Sequence, residues 1–176
     1  MALGLPPEKE KVFEEMLSWS ENAFLICLGF SKNPQDAEDL TQEAYLKAYQ
    51  KIDSLQSAAS AREWLFRIVR NTCLDQRRKR SLFHLFSLQS VGDSPEYETP
   101  ESQVLRGEQI RLLKRTVRNL PKKLKEIFVL REYGHLSYQE IAAVLGIPQG
   151  TVMSRLNRAR QAVARGIKEV DHERRC

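Results

Sequence analysis

The stretch Ser137-Tyr138-Gln139-Glu140-Ile141-Ala142-Ala143-Val144-Leu145-Gly146-Ile147-Pro148-Gln149-Gly150-Thr151-Val152-Met153-Ser154-Arg155-Leu156-Asn157-Arg158-Ala159-Arg160 decides the fold. Ser137 and Glu140 have the spacing of a capping box, which fixes a helix start. Ala142 is small enough for two helices to approach closely. Gly146 supplies the backbone of a tight turn, and β-branched Val152 faces inward on the next helix. Together these predict a helix-turn-helix. Winding the second helix, which Pro148 opens, at about 100° per residue gathers Val152, Leu156, Ala159 and Val163 on one face. Ser154, Asn157 and Gln161 lie opposite, with Arg158 beside them and Arg155 and Arg160 nearer the flanks. A helix in the major groove needs polar side chains outward and cations where it meets phosphates. Arg158 and Asn157 suit guanine and adenine edges, and Arg155, Arg160 and Arg131 suit phosphates. An ordinary solvated amphipathic helix is the plain alternative.

Working upstream, Leu124, Ile127, Phe128 and Leu130 mark a helix that stops near Gly134. Ile110, Leu113, Val117 and Leu120 mark another that Pro121 ends. Between Ser81 and Gly107 the helical period disappears. Pro95 and Pro100 sit among Asp93, Glu96, Glu98 and Glu101, which reads as an acidic linker. Phe83, Leu85 and Phe86 are more apolar than a tether needs and suit packing or a partner.

Before the linker the spacing is helical again. Phe13, Leu17, Phe24, Leu25 and Leu28 predict one helical region ending near Gly29. Asn33-Pro34-Gln35-Asp36 then reads as the start of a helix running to about Ile52, with Asn33 as cap and Pro34 in the first turn. Its apolar side is Ala37, Leu40, Ala44 and Ala48. Asp39, Gln42, Glu43 and Leu46 form an acidic stripe with an apolar edge, which suits a basic protein partner and repels DNA. Ser60-Ala61-Arg62-Glu63 has capping-box spacing and predicts a helix from there to the basic block Arg77-Arg78-Lys79-Arg80. Arg67, Arg70, Asn71 and Arg78 share a stripe on it, flanked by Arg77, with Trp64 and Phe66 one turn upstream. Cations beside aromatics hold single-stranded nucleic acid, although a core role suits Trp64 better.

Composition narrows the function classes. The 176 residues are 41% hydrophobic, enough to form a core, and 29% charged. The net charge of +5 is distributed as basic, acidic and basic blocks, a pattern suited to a polyanion gripped at two places. Cys27, Cys73 and Cys176 are scattered, as are His84, His135 and His172. They suit two buried small residues and one exposed terminal thiol rather than a disulfide framework or a metal site. No phosphate loop or catalytic cluster stands out, so neither an enzyme nor a cofactor is expected. No apolar run is long enough to span a bilayer, and Met1 to Lys11 lacks the pattern of a secretory signal, which predicts a cytoplasmic protein. The fold class expected is all-α, with two small helical domains over 8–80 and 108–170 and a linker over 81–107.

Several motifs, in order, carry a family resemblance. They are Asp36-Ala37-Glu38-Asp39-Leu40-x-Gln42-Glu43, Trp64-Leu65-x-x-Ile68-x-x-Asn71, Leu120-Pro121, Ser137-Tyr138-x-Glu140-Ile141-Ala142 and Gly150-Thr151-Val152-x-Ser154-Arg155-Leu156-x-Arg158-Ala159-Arg160. From about Phe13 to Ile167 the chain resembles a bacterial extracytoplasmic-function (group IV) sigma factor.

The resemblance implies that Asp39, Leu40, Gln42, Glu43 and Leu46 dock on the largest subunit of core RNA polymerase. It places Arg67, Arg70, Asn71, Arg77 and Arg78 near the melted −10 promoter element. The −35 element falls to the helix from Gln149, with Thr151, Ser154, Arg155, Asn157, Arg158 and Arg160, and to Arg131. It further implies a linker through the RNA exit path, contact of the second domain with the other large polymerase subunit, and an anti-sigma factor as partner. One departure from the family is the loop Leu55-Gln56-Ser57-Ala58-Ala59-Ser60, which lacks the aromatic and Gly often found where a −10 base is captured. The rival reading is a free-standing helix-turn-helix regulator, which leaves the acidic stripe and linker without a purpose.

Overall fold

The computed structural model describes residues 6–31, 33–86 and 112–173, with side chains described over 6–31, 33–79 and 112–168. These residues are helical, with no strand among them, in agreement with the expected all-α class. The chain divides into two units, Met1–Pro95 and Glu96–Cys176. The acidic residues of the expected linker and Cys176 lie outside the described residues.

The first unit contains α1 (Pro7–Leu17), α2 (Ser20–Phe30), α3 (Pro34–Gln50), short 3-10 turns at Ile52–Ser54 and Ala58–Ser60, and α4 (Ala61–Phe86). The single helical region expected up to Gly29 is thus two helices. The break falls at Ser18, whose hydroxyl and amide both donate to the Glu15 carbonyl, at 2.6 and 3.0 Å. No Pro or Gly marks it, so apolar spacing alone reads straight through. The break also changes which residues face inward. Met16 is buried and Leu17 is 46% exposed, while Ala23, Ile26 and Cys27 form the buried face of α2.

Helix α3 forms as the sequence predicts. The Asn33 side chain accepts from the Asp36 amide at 2.7 Å, Pro34 occupies the first turn, and Ala37, Leu40, Ala44 and Ala48 are buried. It packs on α2 and α4. The Tyr45 hydroxyl donates to the Met16 carbonyl at 2.7 Å, and Phe13 meets the rings of Tyr45 and Tyr49 edge-on. These contacts tie α1 to α3. Burial pushes the Tyr45 hydroxyl up, so it stays protonated and able to donate.

Helix α4 starts where expected, directly after a 3-10 turn. The Ser60 hydroxyl donates to the Ser57 carbonyl at 2.9 Å, closing the preceding 3-10 turn, and the Ser57 hydroxyl accepts from the Ala59 amide at 3.2 Å. The helix continues past Arg80 to Phe86 because nothing between Ala61 and Phe86 is Pro or Gly. Ala61, Leu65, Phe66, Val69, Thr72 and Cys73 are its buried face.

The second unit contains α5 (112–118), α6 (Lys122–Phe128), a π-helical turn (Val129–Tyr133), α7 (Tyr138–Leu145) and α8 (Gln149–Glu173). The stop falls near Gly134, as expected, with Gly134 as the C-cap. Gly134 keeps right-handed backbone, and His135 takes φ 55. The widened turn is closed by the Gly134 amide donating to Val129 O and the Leu136 amide to Leu130 O, each at 3.1 Å. That brings Leu136 into the core beside Ile127, Val129 and Leu130.

Candidate nucleic-acid interface and acidic docking stripe

The helix pair α7–α8 is built by the caps its sequence specifies. The Glu140 amide donates to the Ser137 hydroxyl at 3.2 Å, and the Ser137 amide donates to the Glu140 carboxylate at 2.6 Å. At the far end Gly146 takes φ 64 and ψ 40, and the Ile147 amide donates to the Ala142 carbonyl at 3.1 Å. The chain therefore reverses within three residues and re-enters a helix at Gln149. The Thr151 and Val152 amides are taken up by the Pro148 carbonyl.

Val152, Leu156, Ala159 and Val163 are buried along α8. Gln149, Ser154, Asn157, Arg158, Arg160 and Gln161 are exposed, while Thr151 and Arg155 are half-buried. The faces predicted from the helical period are those observed.

Two of the expected phosphate ligands also have structural tasks. Arg160 donates twice to one Glu132 carboxylate oxygen, at 2.7 and 2.9 Å, and this raises its pKa further, chiefly through the hydrogen bond. Arg131 donates to the Leu136 carbonyl at 2.7 Å and lies over the Tyr138 ring at 5.1 Å. Sequence reasoning misses both roles, because Glu132 and the Leu136 carbonyl are brought there by the π-helical turn. Met153, which the sequence left without a role, is 54% exposed on the outward side of α8.

In the first unit, Asp39, Gln42 and Leu46 are exposed on α3, with Leu46 at 58%. Glu43 is half-buried and pairs with Lys47 at 2.7 Å, and the Lys47 ammonium also donates to the Thr72 hydroxyl of α4 at 3.3 Å. Leu40 takes the apolar side that the helical period predicts, rather than standing among the exposed residues of the stripe. It is 5% exposed and belongs to the core beneath the stripe, because it sits one position round the helix from Asp39 and turns inward with Ala37 and Ala44.

On α4, Arg67, Asn71, Arg77 and Arg78 are exposed and Arg70 is half-buried. Arg70 donates to the Asn71 side-chain oxygen at 3.1 Å, and Arg78 approaches Asp75 at 3.5 Å. The stripe is therefore a continuous polar and cationic face. Phe66 is not part of it. It is fully buried against Trp19, with ring centroids 6.4 Å apart, and Arg62 lies 5.3 Å from both rings. Arg62 stands one helical turn before Phe66 on α4, but Trp19 comes from the turn between α1 and α2 and is not signalled in sequence. Trp64 is half-buried, and Gln56 to Ser60 of the atypical loop are exposed. Among the described residues no group of three or more His, Cys, Asp or Glu could hold a metal ion, and no helix is long and apolar enough to cross a membrane.

Comparison with known proteins identifies the family. Sigma-70 region 2 matches residues 23–83, and sigma-70 region 4 matches residues 110–163. The chain is 37% identical over 137 residues to the ECF RNA polymerase sigma-E factor of Escherichia coli K12, covering 73% of this chain and 72% of that protein. It is 30% identical over 167 residues to the RNA polymerase sigma-H factor of Pseudomonas aeruginosa, covering 90% and 86% respectively. Among solved structures, it resembles the sigma factor RpoE of Bartonella quintana, determined in complex with the anti-sigma factor NepR. The TM-score is 0.68 with 28% identity, over 88% of this chain and 95% of that one. CnrH, solved with the cytosolic domain of CnrY, shares the fold with a TM-score of 0.62, 23% identity and coverage of 89% and 88%. A free-standing helix-turn-helix regulator would leave the region 2 match unexplained. This chain belongs to the extracytoplasmic-function family of RNA polymerase sigma factors, which direct promoter-specific transcription.

Proposed function

We propose that this sigma factor binds core RNA polymerase through the α3 stripe of Asp39, Gln42, Glu43 and Leu46, with Leu40 fixing that stripe from beneath. Arg67, Arg70, Asn71, Arg77 and Arg78 on α4 hold the unpaired −10 strand. Helix α8 reads the −35 element in the major groove, with Asn157 and Arg158 at base edges and Gln149, Thr151, Ser154 and Arg155 around them. Arg131 and Arg160 face phosphates, while Arg160 ties α8 to Glu132 of the π-helical turn and Arg131 holds that turn to Leu136 and Tyr138. The polymerase supplies all bond-making chemistry. The sigma factor contributes differential binding, favouring the open promoter over the duplex. Its site of action is the cytoplasm, where polymerase and promoter DNA are.

The observation that supports this reading best is the coexistence, in one unit, of an exposed acidic stripe on α3 and a cationic face on α4. Carboxylates repel DNA and attract a basic protein surface, so the two faces need different partners. The division of labour runs by domain. Residues 8–80 engage polymerase and the −10 element, 108–170 engage the −35 element, and the tether between them begins after α4 ends at Phe86. An anti-sigma factor is the expected regulator, as for the Bartonella relative crystallised with one. Run-off transcription with core polymerase on a library of promoter fragments tests the whole reading. Sequence-specific transcripts that depend on the added chain support it, and DNA binding without polymerase-dependent initiation overturns it.

A further inference from the structure

Cys27 of α2 and Cys73 of α4 are far apart in sequence, yet their sulfurs stand 3.6 Å from one another in the core of the first unit. Cys27 is 0% exposed and Cys73 3%. Neither is used by the polymerase or DNA surfaces above, and both are free thiols. Buried cysteines usually serve as small apolar residues. Two meeting sulfur to sulfur across a helix interface are a dithiol, with chemistry that neither has alone.

The two thiols are also unequal. The Cys73 S–H donates to the Cys27 sulfur, and this contact, with a smaller one from Thr41, draws the Cys27 pKa down against the effect of burial. The same contact, together with burial, pushes Cys73 up. One sulfur is thus favoured as the nucleophile and the other held back as the resolving thiol. A disulfide needs its sulfurs about 2.05 Å apart, so the pair must close by about 1.5 Å.

We propose that Cys27 and Cys73 form an oxidation site, in which a small peroxide converts the two thiols into a disulfide joining α2 to α4. The Cys27 sulfur attacks one oxygen of the peroxide, breaking the O–O bond. With hydrogen peroxide the departing hydroxide takes the Cys27 proton as water and leaves a sulfenic acid. The Cys73 sulfur then attacks the Cys27 sulfur, forming the S–S bond. Hydroxide leaves and takes the Cys73 proton as a second water. Two electrons pass from the thiols to the peroxide. Burial shields the pair from bulky electrophiles and selects for a small neutral oxidant. The bond fastens α2 to the part of α4 that carries Arg70, Asn71 and Arg77, resisting separation of these helices. The proposal rests on the thiol geometry alone and not on the transcriptional reading.

The test uses the full chain with Cys176→Ser, which removes the third thiol. After exposure to hydrogen peroxide, the protein is denatured, alkylated and analysed by peptide mass spectrometry. The expected result is a cross-linked pair of peptides bearing Cys27 and Cys73, lighter by two hydrogen atoms than the free peptides together. Reduction reverses it, and the thermal midpoint of the oxidised protein rises by at least about 5 °C. Alkylation of both cysteines after oxidation, or conversion to sulfinic acids without the cross-link, overturns the proposal. Cys27→Ala and Cys73→Ala should each abolish the midpoint shift. Should either variant fail to fold by circular dichroism, the peptide analysis of the parent decides alone.

Discussion

Arg158 leaves α8 on its exposed side, one position from Asn157 and about three turns beyond the tight turn at Gly146. An exposed guanidinium there is able to engage a guanine edge through two hydrogen bonds, an arrangement worth about 1–3 kcal/mol of base discrimination. Arg158→Ala should therefore weaken binding of the holoenzyme to its cognate promoter by that amount while changing binding to a scrambled duplex far less. Titration on both duplexes checks this, and equal losses would make Arg158 a phosphate contact. Gly146 is a different kind of residue. A Cβ there would meet no atom within 4 Å, but φ 64 is left-handed backbone. Gly146→Ala should cost roughly 1–2 kcal/mol from backbone strain alone. Thermal unfolding measures that loss.

At the scale of the element, α4 serves two masters along its length. Its outer side carries the cationic stripe, and its inner side closes the core through Leu65, Phe66 and Val69. Phe66→Ala should cost about 3–5 kcal/mol of stability through the cavity it leaves. It should not change single-strand affinity per folded molecule, the property a stacking residue would lose. Chemical denaturation and strand binding at low temperature separate the two effects. Helix α8 has a close approach of its own at Gly166, where a Cβ would lie 2.6 Å from the Thr116 methyl carbon. A helical Gly→Ala change gains about 1 kcal/mol in propensity, and overpacking typically costs about 1–3 kcal/mol. Gly166→Ala alone should be destabilising. Combined with Thr116→Ser, which removes the methyl, it should become neutral or stabilising, and a double-mutant cycle of melting curves shows the coupling.

For the whole molecule, the proposed roles give surfaces of opposite charge to different partners. Reversing the α3 stripe with Asp39→Arg and Glu43→Arg should abolish binding to core polymerase and leave the helical content intact. Co-sedimentation with polymerase and circular dichroism check both parts, and retained binding would remove the assigned face. Glu43 contributes through its pair with Lys47 as well as through its charge. That pair is part-exposed and worth only a few tenths of a kcal/mol, so its loss should not unfold the unit.

Much of this protein follows from local chemistry. The caps at Asn33 and Ser137, the turn at Gly146 and the apolar faces of α3 and α8 are each set by residues within one or two turns of one another, so chain order alone specifies them. Other features are not announced by spacing or periodicity. Nothing near Ser18 announces the break between α1 and α2. The Ser60 hydroxyl donates to the Ser57 carbonyl, a contact that capping-box spacing does not show. Phe66 leaves the nucleic-acid face because Trp19 and Arg62 enclose it, and Cys27 meets Cys73 only because α2 and α4 pack. Hydrogen bonds and periodicity act over a few residues, and a sequence displays them. Contacts between helices are settled by how their surfaces fit, and only the folded chain brings those surfaces together.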